Sequence, residues 1–264
     1  MSKYIIETTN LSKKFYPSQG FLKLFSSPRF SRKSILALNS VNLAIKEGEF
    51  FILVGPNGAG KTTLIKILSG LILPTEGVVT VNGYDLIRNE IDVKRCIGLA
   101  TGEERSFYWR LTGRQNLEFF AVLHDIKRKA AAQRIDYLLK LLDIQDPDKR
   151  FQEYSTGLRQ RFSIARSLLN DPKIIFMDEP TKNLDPLSAE SLRSFIKKEL
   201  VENRKKTIIF CTHNLSEAVT LGDRIAIMDS GKIKACDSLE GLKNSAGLGQ
   251  DSSLDEVFKY YVNS

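Results

Sequence analysis

Residues 55–62 read Gly-Pro-Asn-Gly-Ala-Gly-Lys-Thr, a G-x-x-x-x-G-K-T pattern set between an apolar run and a helical one. Few eight-residue patterns constrain a chain so tightly. The run Phe50-Phe51-Ile52-Leu53-Val54 is apolar throughout and ends at a glycine, as a parallel strand buried on both faces does. After the loop, Leu64, Ile67, Leu68 and Leu71 recur at helical spacing. Glycines at these positions let consecutive backbone N–H groups turn inward and cradle phosphate oxygens at a helix N-terminus. Lys61 then reaches the β- and γ-phosphates, and the Thr62 hydroxyl can ligate Mg²⁺. Gly55, Pro56, Asn57, Gly58, Ala59, Gly60, Lys61, Thr62 and Thr63 are therefore the candidate nucleotide-binding residues. The competing reading is a glycine-rich turn that only caps a helix; strand and helix on either side favour a nucleoside triphosphate.

A chain of 264 residues can hold one large α/β domain, or a core with a smaller inserted lobe. The net charge of +8 invites a nucleic-acid or anionic-membrane partner. Half of that excess sits in residues 17–34, where Lys23, Arg29, Arg32 and Lys33 stand without an acid. No zinc-finger spacing, ribonucleoprotein motif or basic heptad accompanies them, so no specific nucleic acid is expected. No apolar stretch approaches the roughly 18–20 residues that span a bilayer. Cys96, Cys211 and Cys236 are odd in number and lack metal-ligand spacing, which suits a reducing cytosol.

Ile5 to Phe15 reads as an edge strand and turn, followed by the basic insertion. Val41-Asn42-Leu43-Ala44-Ile45 alternates, and Lys46-Glu47-Gly48-Glu49 turns it into the phosphate-loop strand. Val78 to Val81 adds a strand, turned by Asn82-Gly83. From about residue 90 to 170 the pattern becomes helical, with helices over Asn116–Leu123 and Arg134–Leu142. Short apolar strands return at Lys173–Met177, Thr207–Cys211 and Arg224–Met228, with helices between them as in βαβ crossovers. The expectation is one α/β domain over 1–264. Its core would comprise 1–90 and 171–237, including an N-terminal antiparallel β region. A helical subdomain is expected over 91–170 and a short tail over 238–264. In the tail, Leu254, Val257, Phe258 and Tyr261 fit an amphipathic closing helix.

The second decisive feature is Ile174-Ile175-Phe176-Met177-Asp178-Glu179, an apolar strand that ends in two carboxylates. Open α/β sheets place ligands at such strand ends. Asp178 can hold the water shell of Mg²⁺, and Glu179 can polarise a water for in-line attack on a γ-phosphate. Without the phosphate loop, the pair would read as two solvated acids.

In this order the motifs closely resemble those of ATP-binding cassette (ABC) transporter ATPases, whose core is a RecA-like P-loop NTPase fold. The resemblance covers nearly the whole chain. Tyr154-Ser155-Thr156-Gly157-Leu158-Arg159-Gln160-Arg161 is similar to the family signature, which implies that Ser155 and Gly157 reach the γ-phosphate held by an opposite subunit. Asp178-Glu179-Pro180-Thr181 runs on to Lys182-Asn183-Leu184-Asp185, which resembles the loop that communicates across the dimer. His213 sits where the family has its switch histidine, and Tyr16 where it has the aromatic that stacks on adenine. The resemblance implies ATP and Mg²⁺ as ligands, with Glu179, His213 and Lys61 catalytic. It also implies a head-to-tail dimer with a second copy or a related cassette. A separate transmembrane permease would hold the chain at the inner face of the cell membrane. The alternatives are a soluble relative acting on nucleic acid or ribosomes, and a regulatory module that holds ATP without turnover.

The chain departs from the family pattern in places. The usual glutamine at the start of the helical lobe is missing from Ile97-Gly98-Leu99-Ala100-Thr101-Gly102-Glu103. Counting forward from Ile97 puts Gly102 there and counting back from Leu111-Thr112 puts Glu103. Glu103 is preferred because a carboxylate can also ligate a hard cation, with an exposed loop acid as the alternative. In the signature, Thr156 replaces a glycine and Leu158 a glutamine, while Ser155 and Gly157 remain. Phe107-Tyr108-Trp109 places three aromatics in a row that cannot all face one core. The resemblance implies that this region receives the permease's coupling helix, so the stretch is read as docking surface, with packing inside the helical lobe as the alternative. The insertion after Tyr16 is similar to that of polysaccharide and lipid export cassettes, and the signature to multidrug-type ones, which favours export.

Overall fold

The computed structural model describes residues 4–16, 34–101 and 107–263. Its strands are β1 (Tyr4–Phe15), β2 (Ile35–Lys46), β3 (Phe50–Val54), β4 (Glu76–Val81) and β5 (Tyr84–Asp85) in the first part of the chain. Then follow β6 (Ile97–Thr101), β7 (Ile174–Asp178), β8 (Thr207–Thr212), β9 (Arg224–Asp229) and β10 (Lys232–Asp237). They form a four-stranded antiparallel sheet in the order β2-β1-β4-β5 and a six-stranded sheet in the order β10-β9-β3-β8-β7-β6. In the larger sheet every neighbouring pair is parallel except β10 with β9.

The central strands read as unbroken apolar runs because both faces are covered. Successive side chains point to opposite faces, and the packing follows that alternation. Phe50, Ile52, Val54, Ile175, Met177, Ile208 and Phe210 join one hydrophobic cluster. Phe51, Leu53, Ile174, Phe176, Ile209 and Cys211 join the other. Each such side chain contributes about 1.5–3 kcal/mol by leaving water, so a one-residue register slip would move every member to the wrong face.

The helices are α1 (Lys61–Leu68), α2 (Glu90–Cys96), α3 (Gly113–Leu123), α4 (Arg128–Leu141) and α5 (Thr156–Ser167), then α6 (Pro186–Phe195), α7 (Leu215–Leu221), α8 (Leu239–Ser245) and α9 (Leu254–Asn263). In α4, Ala131, Ile135, Leu138 and Leu139 are buried, the one-sided stripe that its sequence carries. α3, α4 and α5 pack on one another and share the first cluster with one face of the sheet. α9 closes that cluster with Leu254 and Val257. Among the described residues no helix is long and apolar enough to cross a membrane.

Two readings of the sequence need correction. Ile5–Phe15 is not an edge strand: β1 lies between β2 and β4, paired to both. The second partner returns from more than sixty residues away, and no local pattern announces such a pairing. The stretch taken as helical from about residue 90 also gives a strand to the core, since Ile97–Thr101 pairs in parallel with Ile174–Asp178. A five-residue apolar run cannot be told from a buried helical segment by periodicity alone. The aromatic triplet divides as its chemistry requires. Phe107 is buried and stacks on Phe151 at 4.3 Å, while Tyr108 and Trp109 stay exposed.

Candidate active site

The site is built at the C-terminal edge of the larger sheet. Val54 is in register with Thr212, and Asp178 with Cys211, so the loops after β3, β7 and β8 leave the sheet side by side. The loop after β3 must fold back tightly to start α1. Gly60 has φ +105, and a Cβ on it would lie 2.6 Å from the Ala37 carbonyl oxygen. Only glycine fits there. α1 then begins at Lys61 with no side chain capping its first turn, leaving backbone N–H groups and the positive dipole end for an anion.

Three side-chain contacts order the centre. The buried Lys61 ammonium donates to the Gly55 carbonyl at 2.7 Å and to that of Pro56 at 3.0 Å. The Thr62 hydroxyl donates to Asp178 Oδ2 at 2.8 Å. Burial pushes the Asp178 carboxyl up, the Thr62 hydrogen bond partly counters it, and the neighbouring Glu179 charge adds to the rise.

Glu179 is held at φ +49 in the left-handed region, with its N–H bonded to the Cys211 carbonyl at 3.0 Å. Its Oε1 meets His213 Nδ1 at 2.8 Å and its Oε2 meets Lys182 Nζ at 2.6 Å. An ionised carboxylate only accepts, so Nδ1 of His213 carries the proton in this pair. Burial works to raise Glu179, but Lys182 and then His213 outweigh it, holding its carboxyl below the ordinary carboxylate range. Glu179 is thus ionised, fixed on both oxygens and two residues beyond the strand's last core side chain.

These groups line a cleft of about 1440 Å³. Asn57 to Thr63, Asp178, Glu179 and Lys182 line it, together with Phe120, His124 and Arg166. The Arg166 guanidinium lies over the rings of Phe107 and Phe120 at 4.7 and 5.1 Å, and burial lowers it to about 10.

The remaining candidates lie elsewhere. Tyr16 is 60% exposed and follows Phe15, which pairs with Ile35 at the cleft rim. Ser155 caps α5, its hydroxyl accepting from the Leu158 N–H at 3.4 Å, and Gly157 follows in the first turn. Neither lines the cleft. Asp185 caps α6 by accepting from the Ser188 N–H at 3.0 Å, and Ser188 is the nearest side chain to Gly157. Glu103 and the basic insertion lie outside the described residues. Reading the sequence missed Lys182, Thr212, Arg193 and Glu217. Glu217 shares the buried face of α7 with Ala218 and Leu221, which only the folded chain reveals.

A phosphate-cradling loop, a hydroxyl–carboxylate pair and an ionised base at one sheet edge define a P-loop nucleoside triphosphatase. Residues 38–182 match the ABC transporter family model, and the chain belongs to that family: it is the ATP-binding subunit of an ABC transporter, an ATPase. It is 37% identical to the ABC transporter ATP-binding protein NatA of Bacillus subtilis (strain 168), over 81% of this chain and 87% of that one. It is also 37% identical to the daunorubicin resistance ATP-binding protein DrrA3 of Streptomyces coeruleorubidus, over 80% of this chain and 66% of that one. A solved ATP-binding cassette, dimeric and in a post-hydrolysis state bound to ADP and Pi, superimposes with a TM-score of 0.73. That structure is 28% identical, and the match covers 89% of this chain and 98% of the other.

Proposed function

We propose that this chain hydrolyses ATP in a head-to-tail dimer and so drives a separate membrane permease, for export. One observation carries the dimer. Lys61, Thr62, Asp178 and Glu179 converge on one cleft, with His213 joined to it through Glu179, while Ser155 and Gly157 sit outside it with α5's N-terminal end. One chain thus offers a triphosphate one wall and carries a spare anion-binding end. Two chains back to front would each lend that end to the other's nucleotide. The dimeric state of the solved cassette relative favours the same arrangement.

In this reading Tyr16 stacks on adenine, Lys61 neutralises the β- and γ-phosphates, and Glu179 takes the proton of the attacking water. His213 holds Glu179 in position, and Asp185 lies in the loop that meets the partner. The Thr62–Asp178 oxygen pair suits a hard cation, which typically takes one or two protein oxygens beside substrate phosphates. Mg²⁺ held there, with Glu103 as a further oxygen ligand, would supply charge neutralisation on the β- and γ-oxygens. Hydrolysis removes the bridging γ-phosphate and loosens the dimer, turning chemistry into movement.

Exposed Tyr108 and Trp109 give the permease its docking surface, Trp109 being stiffened by the Arg159 guanidinium at 4.8 Å. The chain would then lie on the cytoplasmic face of the membrane through that partner. The likeness to a drug-resistance cassette favours export.

The test is a mild-detergent pull-down of tagged Glu179→Gln protein with ATP, its partners identified by mass spectrometry. The expected result is a closed dimer that retains ATP and carries a polytopic membrane protein. Recovery of ribosomes or nucleic acid without any permease would overturn the transport reading.

A further inference from the structure

Behind the cleft lies a charged group that the reaction as described does not use. Glu217, on α7, has a side chain only 2% exposed. A carboxylate so placed must be fully partnered, since an unpaired charge is strongly disfavoured away from water. Its Oε1 accepts from the Thr181 hydroxyl at 2.6 Å and from Arg193 Nη1 at 3.1 Å. Its Oε2 accepts from the Thr212 hydroxyl at 2.6 Å. The Thr212 hydroxyl in turn accepts from the Asn214 N–H at 3.0 Å, closing a turn around His213.

The three donors come from the three segments that the active site needs in register. Thr181 lies two residues after Glu179, Thr212 immediately precedes His213, and Arg193 belongs to the helix that Asp185 caps. The carboxylate's two oxygens divide between these segments, so neither catalytic loop can shift without breaking a bond at Glu217. We infer that Glu217 is a positioning residue that locks the Glu179 loop, the His213 turn and the Asp185 helix into one unit. Movement of the Asp185 helix against a partner subunit would then be felt at the Glu179–His213 pair. Low local dielectric makes such a satisfied network stiff, and a misplacement of about 1 Å at reacting groups can cost about a hundredfold in rate.

This inference rests on the assignment of Glu179 and His213 to hydrolysis, so the experiment carries Glu179→Gln as a control. The purified full-length protein would be compared as parent, Glu217→Gln, Thr181→Val and Thr181→Ser. ATP turnover and thermal melting would be followed, with the imidazole ¹H–¹⁵N signals of the chain's two histidines, His124 and His213. Glu217→Gln keeps the shape but puts an amide donor among donors. Thr181→Val removes a single tie at constant volume, which covers the case in which Glu217→Gln fails to fold.

The expected result is a kcat lowered about tenfold or more in both variants, with KM for ATP within about twofold. The His213 signal should move toward its position in the Glu179→Gln control, and Thr181→Ser should restore both kcat and signal. Parental kcat and parental His213 signal in folded Glu217→Gln and Thr181→Val, beside a slow Glu179→Gln, would overturn the inference and leave the ATPase reading standing. A fall of melting temperature and kcat with a several-fold rise of KM in Thr181→Val that Thr181→Ser does not repair would overturn it too, as mere packing. Parental turnover by Glu179→Gln would remove the reading beneath it.

Discussion

The phosphate-loop edge of the sheet and the start of α5 are both anion-binding surfaces, yet they are held in opposite ways. At the sheet edge each functional side chain has a partner within its own chain: Lys61 on Gly55 and Pro56, Thr62 on Asp178, Glu179 on His213 and Lys182. At α5, among the described residues, the Ser155 hydroxyl bonds its own first turn, and a Cβ built at Gly157 would meet, outside its own helix, only Ser188 within 4 Å. The first region is finished when the chain folds. The second is a surface kept bare, and its chemistry requires another molecule. The difference separates changes that destroy nucleotide binding from changes that leave binding and remove turnover.

Lys61→Ala should have the largest effect, because it strikes the finished region. It deletes the buried cation and, with it, charge-assisted contacts worth about 1.5–3 kcal/mol each. ATP affinity measured by equilibrium binding should fall about a hundredfold, with turnover lost in parallel. Near-parental affinity would mean that the loop N–H groups alone hold the triphosphate.

Gly157→Asp strikes the bare region. A carboxylate facing phosphate across a dimer interface adds like-charge repulsion of several kcal/mol. Ser188 stays at ordinary contact distance from a Cβ here, so the fold should tolerate the change. The expected outcome is ATP binding by the single chain within about threefold of parental, with kcat reduced about a hundredfold and no ATP-dependent dimer in sedimentation. Equal loss of binding and turnover would erase the distinction between the two regions.

The same contrast explains what could be read from the sequence. The phosphate loop and the strand before Asp178 are contiguous, and their chemistry is encoded by residues a few positions apart. The central strands announced themselves because burial on both faces removes polar residues from the run. The central place of β1 and the membership of β6 were not legible, since each depends on a strand distant in sequence. Glu217 shows the same limit in a side chain. Its partners lie five or more residues away, at positions 181, 193 and 212, and only the fold gathers them. Lys182 is the intermediate case, three residues from Glu179 yet meaningful only once the left-handed turn at Glu179 brings them together.

Lys182→Met gives the smallest effect and the sharpest question. In the parent, Lys182 offsets the burial that would raise Glu179, and it does so more strongly than His213. Removing its charge must let the Glu179 carboxyl rise. Turnover needs that carboxylate ionised, so the acid limb of the kcat–pH profile should move to higher pH. At neutral pH, where Glu179 stays ionised, kcat should change by less than about threefold. Lys182→Arg should leave the limb in place. The folding equilibrium carries the same sign. A carboxyl depressed in the folded state contributes stability above its unfolded value and loses it as pH falls through the folded one, and Lys182→Met should narrow that acid-side loss. An unmoved limb in Lys182→Met would mean that Lys182 leaves Glu179 when the bare α5 end of a second chain arrives. The sheet-edge region would then be finished in the single chain only at rest, and remade on assembly.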